Sequence, residues 1–234
     1  MIDKILKDGF EELGLPCSDE MIRQFCVYKD SLEETNRVMN LTAIEGDENI
    51  ARLHFLDCAA LLTCEEFQGK RVIDVGTGAG FPGLVLRIGC PSLSLTLLDS
   101  LDKRVGFLRS TCQQLDFADI NCLHLRAEEA PKEMRAAYDI ATARAVAGLN
   151  VLSELCLPFV KVGGCFLAMK GPDCREEVRG AARAIGQLGG KTEAVIDYRI
   201  PGTDIHHSIV KIRKITATPR TFPRRWAQIK KSPL

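Results

Sequence analysis

The sequence predicts an α/β protein: a doubly wound, mostly parallel seven-stranded sheet with helices on both faces, an N-terminal helical cap and an antiparallel C-terminal hairpin. Three observations carry this. From Arg71 onward, short apolar runs alternate with helical stretches, the pattern of crossovers that bury a parallel sheet on both faces. The last two strand-like runs are separated by little more than a Pro201-Gly202 turn, too short for a crossover, so they pair antiparallel. The first 70 or so residues carry only helical periodicity. At 234 residues and 46% hydrophobic, the chain is long and apolar enough for one well-packed unit, which excludes a disordered or low-complexity protein.

The elements follow in order. The start, Met1-Ile2-Asp3-Lys4, breaks its apolar residues with charges and reads as no export signal. Ser18 is placed as an N-cap before Asp19 and Glu20, with Met21, Ile22, Phe25, Tyr28 and Leu32 at helical spacing, giving about five turns. A polar break over 36–47 precedes a second helix marked by Ile50, Leu53, His54, Leu61 and Leu62. Strands are expected over 72–75, 93–98, 120–125, 138–141, 165–169, 193–199 and 208–215, and helices over 82–88, 101–115, 149–160 and 173–188. The organisation is therefore a cap over 1–70, a sheet domain over 71–215 and a tail over 216–234.

Ten cysteines include no pair at C-x-x-C spacing, and His206-His207 has no third ligand near it, so no metal is expected. The thiols read as reduced core packers of a cytoplasmic protein. His124, inside a candidate strand, reads as a buried, satisfied histidine.

Chemistry enters with Asp74-Val75-Gly76-Thr77-Gly78-Ala79-Gly80-Phe81-Pro82-Gly83, directly after the first strand. Glycines at a strand-to-helix turn let the backbone approach a ligand closely. Residues 78–83 also fit G-x-G-x-x-G, so a nicotinamide-dependent oxidoreductase stays open at this point. Asp99 ends the second strand, where a carboxylate can accept both hydroxyls of an adenosine ribose; a tight turn with Asp99 as a helix cap is the plainer alternative. An acidic residue inside the first strand, Asp74, resembles the first motif of class I S-adenosylmethionine-dependent methyltransferases, Rossmann-like enzymes in which it approaches the amino-acid end of the cofactor directly or through water. Arg126-Ala127-Glu128-Glu129 stands where such enzymes contact adenine, and the fourth strand leads to Arg144-Ala145-Val146 at the ligand-binding edge of the sheet.

Further motifs narrow the resemblance. Asn36-Arg37 through Asn40-Leu41-Thr42-Ala43-Ile44, His54-Phe55-Leu56-Asp57, Leu98-Asp99-Ser100 with Asp102-Lys103-Arg104-Val105, Lys170-Gly171 and Phe222-Pro223-Arg224-Arg225 with Pro233-Leu234 occur in order. Together with the glycine loop they resemble the bacterial ribosomal small-subunit methyltransferase G family, also called glucose-inhibited division protein B, from the first helix to the last residue. Two departures are Cys58, where the family usually has Ser, and Trp226-Ala227-Gln228, where it usually has Gly-x-Pro.

The resemblance implies methyl transfer from S-adenosyl-L-methionine to N7 of a guanosine in 16S ribosomal RNA, in the 530-loop region near the decoding site. Guanine N7 has a free lone pair, so it attacks the methyl in line and needs no general base. Asp74, Gly76, Gly78, Gly80, Phe81, Asp99, Ala127, Glu128 and Arg144 would hold the cofactor. Arg144, Asn40 and His54 would be catalytic, with a packing role that seals the cofactor mouth open for His54. No Asn-Pro-Pro-aromatic tetrapeptide or Pro-Cys after the fourth strand points to amino or C5 methylation. A non-catalytic RNA-binding factor on the same fold also stays open.

Charge locates the partner. Residues 205–234 contain eight Lys or Arg and no acid, so they carry +8 and residues 1–204 carry −8, the whole chain summing to zero. Interrupted by Phe222 and Trp226, this tail suits phosphate contact and base stacking. Arg37, Lys170, Arg220, Arg224, Arg225, Lys230 and Lys231 are the expected RNA contacts, to 16S ribosomal RNA or the small ribosomal subunit, by a monomer without membrane association. Removing 216–234 is expected to weaken RNA binding and leave cofactor affinity nearly intact.

Overall fold

The computed structural model describes residues 1–144 and 147–234. The charges that break the apolar start are the exposed face of a helix, α1 (Ile2–Glu12), which buries Ile2, Leu6 and Phe10 at intervals of four. Helix α2 (Asp19–Met39) begins where Ser18 Oγ accepts from the Met21 amide (3.2 Å) and ends at Asn40, whose left-handed φ of 48° turns the chain away. The second helical pattern is one run of changing pitch: α3 (Asp47–Ile50), a π-turn (Ala51–Leu56), α4 (Asp57–Ala59) and a 3-10 turn (Ala60–Thr63). The wider π-turn carries His54.

An aromatic column joins this cap to the sheet. Phe10, Phe25, Phe55 and Tyr28 follow one another at ring separations of 4.9 to 5.8 Å, and Tyr28 meets Phe81 of the glycine loop at 5.3 Å.

The sheet has the order β3-β2-β1-β4-β5-β7-β6, with β1 (Arg71–Val75), β2 (Ser94–Asp99), β3 (Asn121–His124), β4 (Tyr138–Arg144), β5 (Val160–Lys170), β6 (Gly190–Arg199) and β7 (His206–Lys214). Strands β1 to β5 are parallel, and β7 slots antiparallel between β5 and β6. The order reverses between β1 and β4, which opens a crevice at their carboxyl ends. Helices α5 (Gly83–Gly89) and α6 (Asp102–Gln114) pack with the cap on one face, and α7 (Leu149–Cys156) with α8 (Arg175–Gln187) on the other.

Three sequence readings need correction. The helix expected over 149–160 stops at Cys156, because Pro158 cannot continue it, and β5 begins at Val160 rather than Cys165. His124 is half-exposed, bonded to the Ser100 carbonyl at 3.2 Å, because β3 is the edge strand. The tail is folded onto the domain: Ile229 in α9 (Trp226–Lys231) is fully buried, the Arg135 guanidinium binds the carbonyls of Thr218, Pro219 and Phe222, and Asn150 Nδ2 donates to the Leu234 carbonyl. A bare charge count cannot reveal that docking, which rests on carbonyls and apolar side chains.

Candidate active site and cofactor pocket

The glycine loop is shaped from inside. Asp74 is fully buried, and its carboxylate accepts from Thr77 Oγ1 (2.6 Å), the Gly83 amide (2.8 Å) and Thr142 Oγ1 (3.2 Å). Burial pushes its pKa up to about 6, against the pull of those three donors. Asp74 therefore braces the loop from within. Tyr28 Oη donates to the Ala79 carbonyl (2.6 Å), so the cap fixes the loop from the other side. Gly80 has φ +101°, and a Cβ there would lie 2.6 Å from Leu84 Cδ1 and 2.7 Å from Tyr28 Oη.

Asp99 at the end of β2 accepts from the Gly78 amide through Oδ2 and from the Leu101 amide through Oδ1, both at 2.9 Å. Each oxygen keeps a further lone pair. Gly76, Asp99, Ala127 and Glu128 line one cavity at the carboxyl edge, with Leu152 of α7 and Trp226 of α9. Glu128 Oε1 is buried there with no hydrogen-bond partner among the described residues, and Arg126 stands 3.6 Å away. An orphaned acceptor beside apolar walls suits the amino group of adenine, so the donor set fits an adenosine-bearing cofactor.

Arg144 ends β4 across the crevice, and Ala145 and Val146 of its motif lie outside the described residues. Its guanidinium turns toward the cap: Nη2 donates to His54 Nδ1 (3.0 Å), Nη1 to the Leu53 carbonyl (3.4 Å), Asp57 Oδ2 lies at 3.6 Å, and the Phe81 ring centre lies 4.7 Å below. Because arginine only donates, His54 Nδ1 accepts and its Nε2–H donates to Thr42 Oγ1 (2.8 Å). His54 stacks on Phe81 at 4.2 Å; burial, then the Arg144 charge, pushes its pKa down to about 3. The Phe81 ring thus packs against the cap, outside the lining of the cavity that holds Gly76 and Asp99, and His54 holds Arg144 from the cap side.

Asp57, unassigned in the sequence reading, is a hub. It accepts from Tyr198 Oη (2.6 Å) and His207 Nδ1 (2.8 Å), which ties the cap to the hairpin and raises the His207 pKa. Only its position three residues after His54 signalled it. Asn36 clasps Thr42 by both its backbone groups at 2.9 Å, which leaves Asn40 and Arg37 exposed on the rim of the cap.

The basic residues divide. Lys170 is turned inward to Glu177 and the Ala147 carbonyl, each at 2.8 Å, and Arg224 grips the fully buried Glu154 through its amide (2.8 Å), Nε (2.8 Å) and Nη2 (2.6 Å), so both cations already have partners within the fold. An acid inside the apolar run Leu152-Ser153-Glu154-Leu155-Cys156 was the signal for Arg224. Lys211 and Arg213 pair with Glu65 and Glu193, and Lys214 is buried. Arg220, Arg225, Lys230 and Lys231 are exposed and carry no ion pair among the described residues. Arg220 sits near the amino ends of β4 and β5, whereas Arg225 caps α9, whose Trp226 lines the Gly76–Asp99 cavity, and Lys230 and Lys231 lie in its last turn.

Among the described residues no group of three His, Cys, Asp or Glu could hold a metal ion, and no helix is long and apolar enough to cross a membrane.

The seven-strand order with its antiparallel β7, the braced glycine loop and Asp99 at the end of β2 define the class I S-adenosylmethionine-dependent methyltransferase fold, not the 3-2-1-4-5-6 order of dinucleotide oxidoreductases. The architecture is shared with a SAM-dependent methyltransferase from Aquifex aeolicus (18% identity, TM-score 0.52, 69% of this chain and 92% of that one) and with TYW2 of M. jannaschii in complex with AdoMet (12% identity, TM-score 0.52, 63% and 70%). The chain belongs to the rRNA small subunit methyltransferase G family (GidB), whose model matches residues 21–202. Relatives named ribosomal RNA small subunit methyltransferase G are 48% identical in Alkaliphilus metalliredigens and 45% in Clostridium perfringens, each over 233 residues and 98% of both chains.

Proposed function

We propose that this chain transfers a methyl group from S-adenosyl-L-methionine to N7 of a guanosine in 16S ribosomal RNA. One observation carries the choice of N7: the three acceptor side chains around Arg144 and the glycine loop are already engaged within the protein. His54 spends one nitrogen on Arg144 and the other on Thr42, Asp57 takes Tyr198 and His207, and Asp74 takes Thr77, Thr142 and the Gly83 amide. With these three groups engaged, the site suits a nucleophile that has no proton to lose.

Bound in the cavity, the cofactor would supply an electrophilic methyl on its sulfonium for N7 to take in line, with the electron pair of the broken bond left on sulfur and no proton to remove. Gly76, Ala127 and Glu128 would hold adenosine and Asp99 the ribose hydroxyls. Hydrogen bonds to His54 and Leu53 take two of the five N–H groups of Arg144, which leaves donors for the substrate. Asn40 and Arg37 on the cap rim, with Arg225, Lys230 and Lys231 of the C-terminal segment, would fix the RNA backbone so that N7, carbon and sulfur align; orientation of this kind contributes about 7 to 11 kcal/mol of barrier lowering.

The test is transfer of labelled methyl groups to naked 16S RNA, an assembly intermediate and the small subunit side by side, with aniline cleavage of the product. Cleavage at one guanosine, and a kcat without an ionisation between about pH 6 and 9, are expected. Label that resists aniline cleavage would refute N7, and no label on any RNA form would refute methyl transfer to this RNA.

A further inference from the structure

The tail supplies a wall of the cofactor pocket. Trp226, the only tryptophan of the chain, opens α9 and lines the same cavity as Gly76, Asp99 and Glu128. It does not hang there freely. Two residues earlier, Arg224 is held by three hydrogen bonds to Glu154 of α7, a carboxylate with no solvent exposure. Three residues later, Ile229 is fully buried, and beyond it the Leu234 carbonyl is tied to Asn150 of the same helix. The indole is therefore clamped on both sides over α7, while 38% of its surface stays exposed toward the cavity and solvent. The same cavity is lined by the apolar Leu98, Leu125 and Ala127 and holds the orphaned Glu128 Oε1, so a flat heteroaromatic ring with an amino group would find indole, apolar carbon and an acceptor there.

We propose that Trp226 closes the adenine end of the cofactor pocket, and that the C-terminal tail is a strap that retains the cofactor, fastened by Arg224 to Glu154. The proposal rests on the reading of this cavity as the S-adenosylmethionine site. It reassigns Trp226 from RNA base stacking to the cofactor, and Arg224 becomes a positioning residue.

A lone tryptophan reports on itself. The full-length chain is titrated with S-adenosylhomocysteine, following intrinsic fluorescence and, independently, calorimetric heat. Wild-type protein binds by calorimetry and its Trp226 emission is quenched with the same Kd. Trp226→Ala raises that Kd about ten-fold, in the range of one base–aromatic stack, and Trp226→Phe restores most of it. Arg224→Ala keeps Trp226 but shifts its emission to the red and raises Kd by a similar factor, with helical circular dichroism unchanged. Calorimetric binding without any change in emission, or an unchanged Kd in Trp226→Ala with only RNA affinity reduced, overturns the strap and leaves the cofactor site standing. No calorimetric binding to the wild type overturns both.

Discussion

Substituting His54→Asn removes a group that titrates but keeps an acceptor where Nδ1 stood, which isolates the effect of charge next to Arg144. In the folded chain His54 is 4% exposed, accepts from Arg144 at 3.0 Å and has its pKa pushed down from 6.5 to about 3. Protonation would cost that acceptor and set two cations face to face. A depressed folded pKa means that the stability it contributes is complete above about pH 6.5 and is lost as pH falls toward 3. Between pH 7 and pH 5 the unfolded chain takes up the proton and the folded chain does not, a loss of about 2 kcal/mol.

Two neighbours act in the opposite sense. Asp74, raised to about 6, binds its proton earlier in the folded state and gains roughly 1 kcal/mol over the same interval, and His207, raised by Asp57, adds stability below its folded pKa and loses it above. Wild-type stability alone therefore hides the effect; the difference between wild type and variant exposes it. Urea unfolding followed by circular dichroism should find His54→Asn less stable at pH 7, through lost stacking on Phe81, with that deficit about 2 kcal/mol smaller at pH 5. A deficit equal at the two pH values would refute the neutral, acceptor role assigned to His54.

Other expectations follow from the same geometry. Asp99→Ala should weaken S-adenosylhomocysteine binding on the order of a hundred-fold by calorimetry, since two charge-assisted bonds to ribose disappear along with the brace on Gly78. Gly80→Ala forces a Cβ into a left-handed residue against Leu84 and Tyr28 and should lower both melting temperature and cofactor affinity, measured by thermal shift with and without ligand. Arg144→Lys should reduce kcat at least ten-fold while the protein stays folded, because an ammonium cannot serve His54, Leu53 and substrate at once; turnover at the wild-type rate would count against its role. Replacing Arg225, Lys230 and Lys231 by glutamine should flatten the salt dependence of RNA binding by about two to three units of slope, read from filter binding over a salt series.

Where backbone pattern decides, the sequence was legible. Alternating strands and helices, the glycine loop and Asp99 came out where periodicity and turn chemistry put them, because burial of one face leaves a period in the residue string. Partners of charges leave no such mark. Lys170 and Arg224 look like any exposed cation until Glu177 and Glu154 are seen beside them, and the +8 tail holds four cations that are already buried or paired, at 211, 213, 214 and 224. Asp74 was read by analogy as a cofactor residue, and the bracing of the loop by its buried carboxylate carried no mark in the sequence. The π-turn was hidden because its residues fit an ordinary helical spacing, and the cavity role of Trp226 depends on a tail path that no local pattern encodes.

The Asp57 hub also bears on how the chain reaches its native state. Its hydrogen bonds to Tyr198 and His207 join residues 141 and 150 positions apart, farther than the Tyr28 bond that ties the cap to the glycine loop. Such distant closures are slow to form in a sheet of this topology, so the cap has to wait for the β6–β7 hairpin before it can lock. Native-state hydrogen exchange would see the cap open as a separate cooperative unit at lower free energy than the central strands, a hinge built from the order in which the chain is read.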